Sequence, residues 1–296
     1  MKIEPVHPDF VAEFSGIDIS VPLTAEQVAA ITAGMDRYAV MVLRDQPLTD
    51  EQQCAYSRNF GELEAIGQMS KPSDRRLGPV EMGDISNLTP IGTIRARDDD
   101  RRMYALGNRL WHSDASFRAT GAGYSLLSAR VVPGSGGNTE FADMRAAYDA
   151  LDEKTKAVIE DLVTEHSIAF SRGELGFDNY GEGNIDKVRP VRHRLVRAHP
   201  ITGRKSLYLS AHIGTIIGWQ MPEARAFIRD LTEHATQPQF THAHQWRVND
   251  LVMWDNRTTM HRARRYRDLQ EVRDLRRTSI KGTGMTTQQA PAIAAE

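Results

Sequence analysis

A mixed α/β fold is what this sequence predicts, in an arrangement that suits a jelly-roll β-barrel wrapped by helices. Short segments with strand character gather late in the chain. Helical segments are inserted between them, as layered mixed folds require. Two long stretches rich in Gly, Pro and Asp show neither the helical nor the strand period, which marks them as functional or mobile loops, or surface excursions with no role, rather than framework.

Taken in order, Thr24-Ala25-Glu26-Gln27 opens a capped helix over 24–38. Met41-Val42-Leu43-Arg44 reads as a short buried strand, and Thr49-Asp50-Glu51-Gln52 starts a second helix that ends near Gly61. Residues 66–102 form the first irregular stretch and read as part of a substrate lid. Tyr124 to Val132 is a strand, turned by Pro133-Gly134-Ser135-Gly136-Gly137 into Asn138-Thr139-Glu140-Phe141. That Gly-rich turn is followed by no Lys-Ser or Lys-Thr and fits no P-loop. Asp143 to His166 reads as one or two helices broken near Leu151-Asp152-Glu153, and 171–186 is a second candidate lid. Lys205 to Leu209 alternates like a strand, and Met221 to Ala235 is a helix with Pro222 in its first turn. Phe240–Arg247, Asp250–Trp254 and Arg276–Lys281 supply further strands, and 283–296 reads as a flexible tail.

The 296 residues could form one large domain or two small ones, and 40% hydrophobic content can build a core. A net charge of −2 does not suggest nucleic-acid binding, although eight Arg lie between Arg257 and Arg277. Cys54 is the sole cysteine, so no intrachain disulfide forms, which fits a reducing, cytoplasmic setting. No run of eighteen apolar residues and no apolar N-terminal leader occurs, so neither a membrane span nor export is expected.

The chemistry concentrates in Trp111-His112-Ser113-Asp114 and in Asp255-Asn256-Arg257-Thr258-Thr259-Met260-His261, whose His follows Asp114 by 147 positions. Residues i and i+2 of an extended stretch point to one side, so His112 and Asp114 can aim a nitrogen and an oxygen at one point. Two imidazoles and one carboxylate on one face of a metal make the facial triad of non-haem Fe(II) oxygenases. Downstream, Arg273 and Arg277 are four apart and share a side of an extended segment, while Arg276 faces the other way. Two guanidiniums directed into one cavity suggest two carboxylates to be bound. Zn²⁺ could use the same ligands for hydrolysis. However, no H-E-x-x-H and no evident general base accompany them, and the arginines would then lack a purpose.

Beyond these patterns the chain resembles the taurine/2,4-dichlorophenoxyacetate dioxygenase family, dependent on Fe(II) and 2-oxoglutarate. The resemblance is carried by Gly107-Asn108 with Trp111 to Asp114, Gly136 to Phe141, Asp143-Met144-Arg145, Asp250 to His261 and Arg273 to Thr278, and runs from Val6 to Lys281. Asp143 to Leu151 and Trp254 to Arg257 are similar to the aryloxyacetate branch.

The resemblance implies a double-stranded β-helix core in a single domain over 1–282. It implies His112, Asp114 and His261 as iron ligands, with O₂ as oxidant. It assigns Arg273, with Thr139, to the far carboxylate of 2-oxoglutarate. The loop after His261 is one residue longer than in that branch, but Arg-Asp-Leu-Arg-Arg anchors the register on Arg273 rather than Arg276. Arg277 is expected to hold the substrate's acid, and Asn108 to hydrogen-bond or orient substrate. An aryloxyacetate hydroxylated next to its ether oxygen collapses to a phenol and glyoxylate, with succinate and CO₂ as co-products. Asp114 as a ligand favours hydroxylation over halogenation. A taurine- or alkylsulfonate-type acid is the alternative substrate, and a non-catalytic binding protein the distant one. Self-association is expected from relatives. Trp111 and Trp254 flank ligands but read as core, and His199, His212, His234, His242 and His244 read as structural or exposed.

Overall fold

The computed structural model describes residues 1–66, 75–177, 189–284 and 287. The expected lid residues 67–74 and 178–186, and most of the expected tail, lie outside them. The chain begins β1 (Lys2–His7), β2 (Val11–Ser15), α1 (Ala25–Tyr38), β3 (Val40–Leu43), α2 (Asp50–Arg58), β4 (Gly83–Ser86) and α3 (Asp100–Ala105). A 3-10 turn (Leu106–Arg109) leads to β5 (Ala122–Val131), β6 (Thr139–Asp143), α4 (Met144–Asp149), α5 (Glu153–Ile159), β7 (Val163–His166) and α6 (Ile168–Gly173). Then follow β8 (Val191–Arg194), β9 (Val196–Ala198), β10 (Lys205–Leu207), β11 (Ile213–Ile216) and α7 (Met221–Ala235). The last strands are β12 (Thr241–His244), β13 (Leu251–Asp255), β14 (Thr259–Ala263) and β15 (Asp274–Lys281).

The mixed α/β expectation holds. A seven-stranded sheet runs β1-β2-β3-β13-β5-β15-β4, antiparallel except where β2 meets β3. A three-stranded sheet, β12-β6-β14, is separate from it. The side chains of the large sheet's central strands divide strictly between two faces. Met41, Leu43, Leu126, Leu251 and Met253 pack on the outer face with Ile31 and Met35 of α1 and Cys54 of α2. Val40, Val42, Leu127, Val252 and Trp254 pack inward with Phe141 of the small sheet. The small sheet turns Ala142 and Met260 outward onto a third cluster with α4 and α7. The order is therefore helices, large sheet, interior, small sheet, helices. Strands buried on both faces read as unbroken apolar runs, as Val40–Leu43 does.

Both early helices start as their sequences specify. Thr24 and Gln27, and again Thr49 and Gln52, exchange side-chain and backbone bonds in reciprocal capping boxes. The segment expected to be helical up to His166 differs. Helix ends at Ile159, and Val163–His166 is a strand between β8 and β11. Ladder bonds on both sides outweigh the helical pattern that Asp152 to Ile159 establishes, and Val163 and Thr164 are β-branched, at home in a pleated sheet. The expected lid also contains ordered elements, β4 and the start of α3. Among the described residues no helix is long and apolar enough to cross a membrane.

Candidate active site

Backbone pairing brings His112 and His261 together. Each donates its N–H to the other's carbonyl, at 3.0 and 2.9 Å, in an isolated bridge between the segment after the 3-10 turn and β14. Directly opposed residues project to one side, and the two imidazole centroids lie 4.2 Å apart. Asp114 follows as the chain leaves the bridge in a turn, with Ala115 at φ +55°. The expected strand under the H-x-D motif is thus a single bridge. His112 Nε2 lies 3.9 Å from Asp114 Oδ1, and His261 Nε2 lies 3.8 Å from Asp114 Oδ2. The ligand atoms of the three residues all fall within 4.8 Å of one another, and all three residues are buried.

Neighbouring groups set how these atoms present themselves. His112 Nδ1 is 2.7 Å from the Leu110 carbonyl, so it carries the proton and Nε2 presents its lone pair. Asn256 Nδ2 donates to Ser125 Oγ at 2.9 Å, and Ser125 Oγ donates to Asp114 Oδ2 at 2.8 Å. The same Asn256 accepts the Asp114 N–H through Oδ1, at 3.0 Å, and the Trp254 indole N–H. One amide therefore fixes both the backbone and the carboxylate of Asp114. Burial works against that carboxylate. Arg277 foremost, then His261, His112 and the Ser125 hydroxyl, nevertheless hold it far below the usual carboxylate range. Burial likewise pushes His261 down to about 3, aided by His112 and opposed by Asp114. His112 is lowered for the same leading reason. Two neutral imidazoles beside an ionised carboxylate are the donor set a divalent metal takes.

Arg277 projects from β15 and donates to Asp114 Oδ1 at 2.6 Å. It borders two adjoining chambers, as do His112 and Asn108. The smaller, about 130 Å³, also contains Thr139, His261 and Arg273. The larger, about 820 Å³, adds Asp114, Phe117, Arg172 and His212. Met82 and Arg76, from the expected first lid, line this larger chamber.

Arg273 sits just before β15, buried, with its Nε donating to the Gly137 carbonyl at 3.0 Å. Burial pushes its guanidinium down to about 10, with Tyr266 opposing. Among the described residues no carboxylate pairs with it. Arg276, one residue before Arg277, turns away and grips Asp50 of α2 at 2.6 Å, as strand alternation requires. The turn that packs against Arg273 runs through Gly136 and Gly137, at φ +72° and +68°. A Cβ on Gly137 would stand 2.9 Å from Pro133 Cγ and 3.3 Å from Arg273 Nε. Gly137→Ala is therefore expected to cost about 1–2 kcal/mol for the left-handed backbone and to displace Arg273. If Arg273 receives 2-oxoglutarate, as the resemblance implies, the urea midpoint should fall and the 2-oxoglutarate KM should rise together. A drop in stability with an unchanged KM would show that Arg273 does not depend on this turn.

Asn108, in the 3-10 turn, receives Arg172 Nη2 at 3.5 Å. The Arg172 guanidinium lies against Gly107, where a Cβ would strike it, and 4.5 Å from the centre of the Tyr104 ring. Arg172 and His212 had no local sequence signal. Here His212 is buried, 2.7 Å from Ser171 Oγ, with burial first and His112 and Arg172 next pushing it down to about 3. It borders the larger chamber rather than the outer surface. Asn256 lies inside the recognisable downstream motif, whereas Ser125 lies in a buried strand run with nothing to mark it.

Known proteins resemble this chain over nearly its whole length. The model of the family "Taurine catabolism dioxygenase TauD, TfdA family" matches residues 2–279. The chain is 45% identical over 277 residues to the α-ketoglutarate-dependent 2,4-dichlorophenoxyacetate dioxygenase of Cupriavidus pinatubonensis, covering 93% of this chain and 96% of that protein. It is 38% identical over 270 residues to the (S)-phenoxypropionate/α-ketoglutarate-dioxygenase of Sphingobium herbicidovorans, covering 88% of each. The crystal structure of AAD-2 in complex with Mn(II) and N-oxalylglycine superposes with a TM-score of 0.91 at 52% identity, covering 98% of this chain and 100% of that one.

Proposed function

The chain belongs to the TauD/TfdA family and is a 2-oxoglutarate-dependent dioxygenase, and on that premise we propose that it hydroxylates an aryloxyacetate, releasing a phenol and glyoxylate. The observation that carries the 2-oxoglutarate dependence in this reading is Arg273. A buried guanidinium with no acidic partner among the described residues calls for an anionic ligand, and it shares its chamber with His112 and His261. The donor set fits iron: two neutral imidazoles and one ionised carboxylate, with a buried and unpartnered His261 Nδ1 leaving Nε2 to face Asp114. Fe(II) with 2-oxoglutarate and O₂ supplies the oxidising power, leaving succinate and CO₂.

In this reading His112, Asp114 and His261 hold the metal. Arg273 and the Thr139 hydroxyl take the distal carboxylate of 2-oxoglutarate in the smaller chamber. Arg277, at the junction of the chambers, takes the substrate's acid, and Asn108 helps orient the substrate. The apolar walls of the larger chamber, among them Phe117, Leu77 and Met82, suit an aryl body. The fold is read as a double-stranded β-helix, supported by the inward packing of the two sheets around the histidine bridge. The reading extends to one self-associating domain over 1–282, working in the cytoplasm. A substrate panel under Fe(II), 2-oxoglutarate and ascorbate tests it. Succinate and phenol should appear together with aryloxyacetates, and succinate release that responds only to alkylsulfonates would overturn the aryloxy assignment.

Arg277→Leu separates the two arginines. Truncating one partner of a hydrogen-bonded charge pair costs about 2–5 kcal/mol, so phenol release should fall at least about 30-fold. At saturating Fe(II) the 2-oxoglutarate KM should stay within about twofold of wild type, because Arg273 serves that ligand. Succinate formed without phenol is the expected by-product of a poorly placed C–H bond. Undiminished phenol release would remove Arg277 from the substrate site.

A further inference from the structure

Thr139 is on β6 with its side chain turned into the smaller chamber, 3% exposed. Its hydroxyl accepts a hydrogen bond from Trp246 Nε1 at 3.0 Å. An indole nitrogen can only donate, whereas a threonine hydroxyl has one proton to give and two lone pairs to receive with. The Trp246 contact uses a lone pair, so the Thr139 proton stays available. Among the described residues no acceptor takes it, although a strand threonine commonly spends its proton on a nearby carbonyl.

Trp246 is itself firmly mounted. It follows β12, and its ring meets the His244 ring edge-on at 4.6 Å. His244 Nε2 lies 3.2 Å from Asp250 Oδ2, which accepts the Arg247 N–H at 2.8 Å and pairs with Arg44 at 2.5 Å. The turn carrying the indole is thus tied on both sides to one buried carboxylate.

We propose that Trp246 is a positioning residue for the cosubstrate: its indole N–H occupies an acceptor site of the Thr139 hydroxyl and so directs that hydroxyl's proton to the distal carboxylate of 2-oxoglutarate. The inference rests on the reading that Thr139 and Arg273 receive that carboxylate. It adds a residue that borders neither chamber, and a reason for its indole: phenylalanine would fill the space but leave the hydroxyl free to rotate.

Anaerobic calorimetry on the Mn(II)-loaded full chain tests it, with 2-oxoglutarate and with 2-oxopentanoate, a 2-oxo acid that has the chelating end but no distal carboxylate. Trp246→Phe should weaken 2-oxoglutarate about 3–10-fold, the scale of one neutral hydrogen bond, and leave 2-oxopentanoate unchanged. The ratio is read within one variant, so partial loss of folded protein does not imitate it. Thr139→Val should weaken 2-oxoglutarate as well, and adding Trp246→Phe to it should cause no further loss, because coupled partners are non-additive. If Trp246→Phe weakens both ligands alike, adds its full effect on top of Thr139→Val, or changes neither ligand, the positioning role is overturned. If Thr139→Val alone leaves 2-oxoglutarate affinity intact, the cosubstrate reading itself has failed.

Discussion

Asp114→Ala is expected to abolish turnover while the fold survives. Even the partners that merely orient a metal ligand are worth about 10–100-fold in affinity or activity, so loss of the ligand should exceed about 100-fold in metal affinity. The two imidazoles stay bridged by their own backbone bonds. They would keep their places without the carboxylate that balances the charge of a divalent ion. Arg277 would lose its partner but borders the larger chamber, where water can reach it, which is why folding should persist. Calorimetry with Mn(II), succinate release with Fe(II) and a urea melt are the three measurements. A variant that binds metal and turns over normally would remove Asp114 from the site.

In the proposed reading, Arg273→Leu should be nearly as damaging, but through the cosubstrate alone. Leaving a buried carboxylate without its charged partner costs about 3–5 kcal/mol, which is a rise in 2-oxoglutarate KM of about 100-fold or more. Stability should hold or improve. Burial already presses this guanidinium down to about 10, and leucine removes a charge that no acid neutralises. Arg276→Leu is the control. It breaks the pair with Asp50 on the opposite face of β15 and should lower stability while sparing 2-oxoglutarate. The reverse pattern, with Arg276 controlling the KM, would place the cosubstrate on the other side of the strand.

Much of this site was legible because its parts obey local rules. His112 and Asp114 are two apart, and Arg273, Arg276 and Arg277 divide between faces by strand alternation alone. The capping threonines of α1 and α2 announce those helices in four residues each. Where a contact joins distant positions with no periodic trace, the sequence was silent. Arg172 reaches Gly107 and Asn108 from α6, and Trp246 reaches Thr139 from 107 positions away. Strand β7 was hidden for a related reason: only three residues separate its four from the end of a helix, and only pairing with β8 and β11 makes them a strand. The two-sided burial of β3, β5 and β13 erased the alternation that would have shown which face looks at the metal site.

The pairing of Arg277 with Asp114 gives the site a shared account of charge. One guanidinium faces both a metal-holding carboxylate and, in the proposed reading, the acid of the incoming substrate. Whatever the substrate draws from that guanidinium, Asp114 regains as negative charge available to the metal. Binding free energies linked in this way are reciprocal. A substrate acid that tightens the hold on iron is itself held more tightly once iron is present, by the same factor. Neutral look-alikes of the substrate would forgo that linkage, so discrimination in favour of acids would grow with metal loading instead of being a fixed property of the pocket walls.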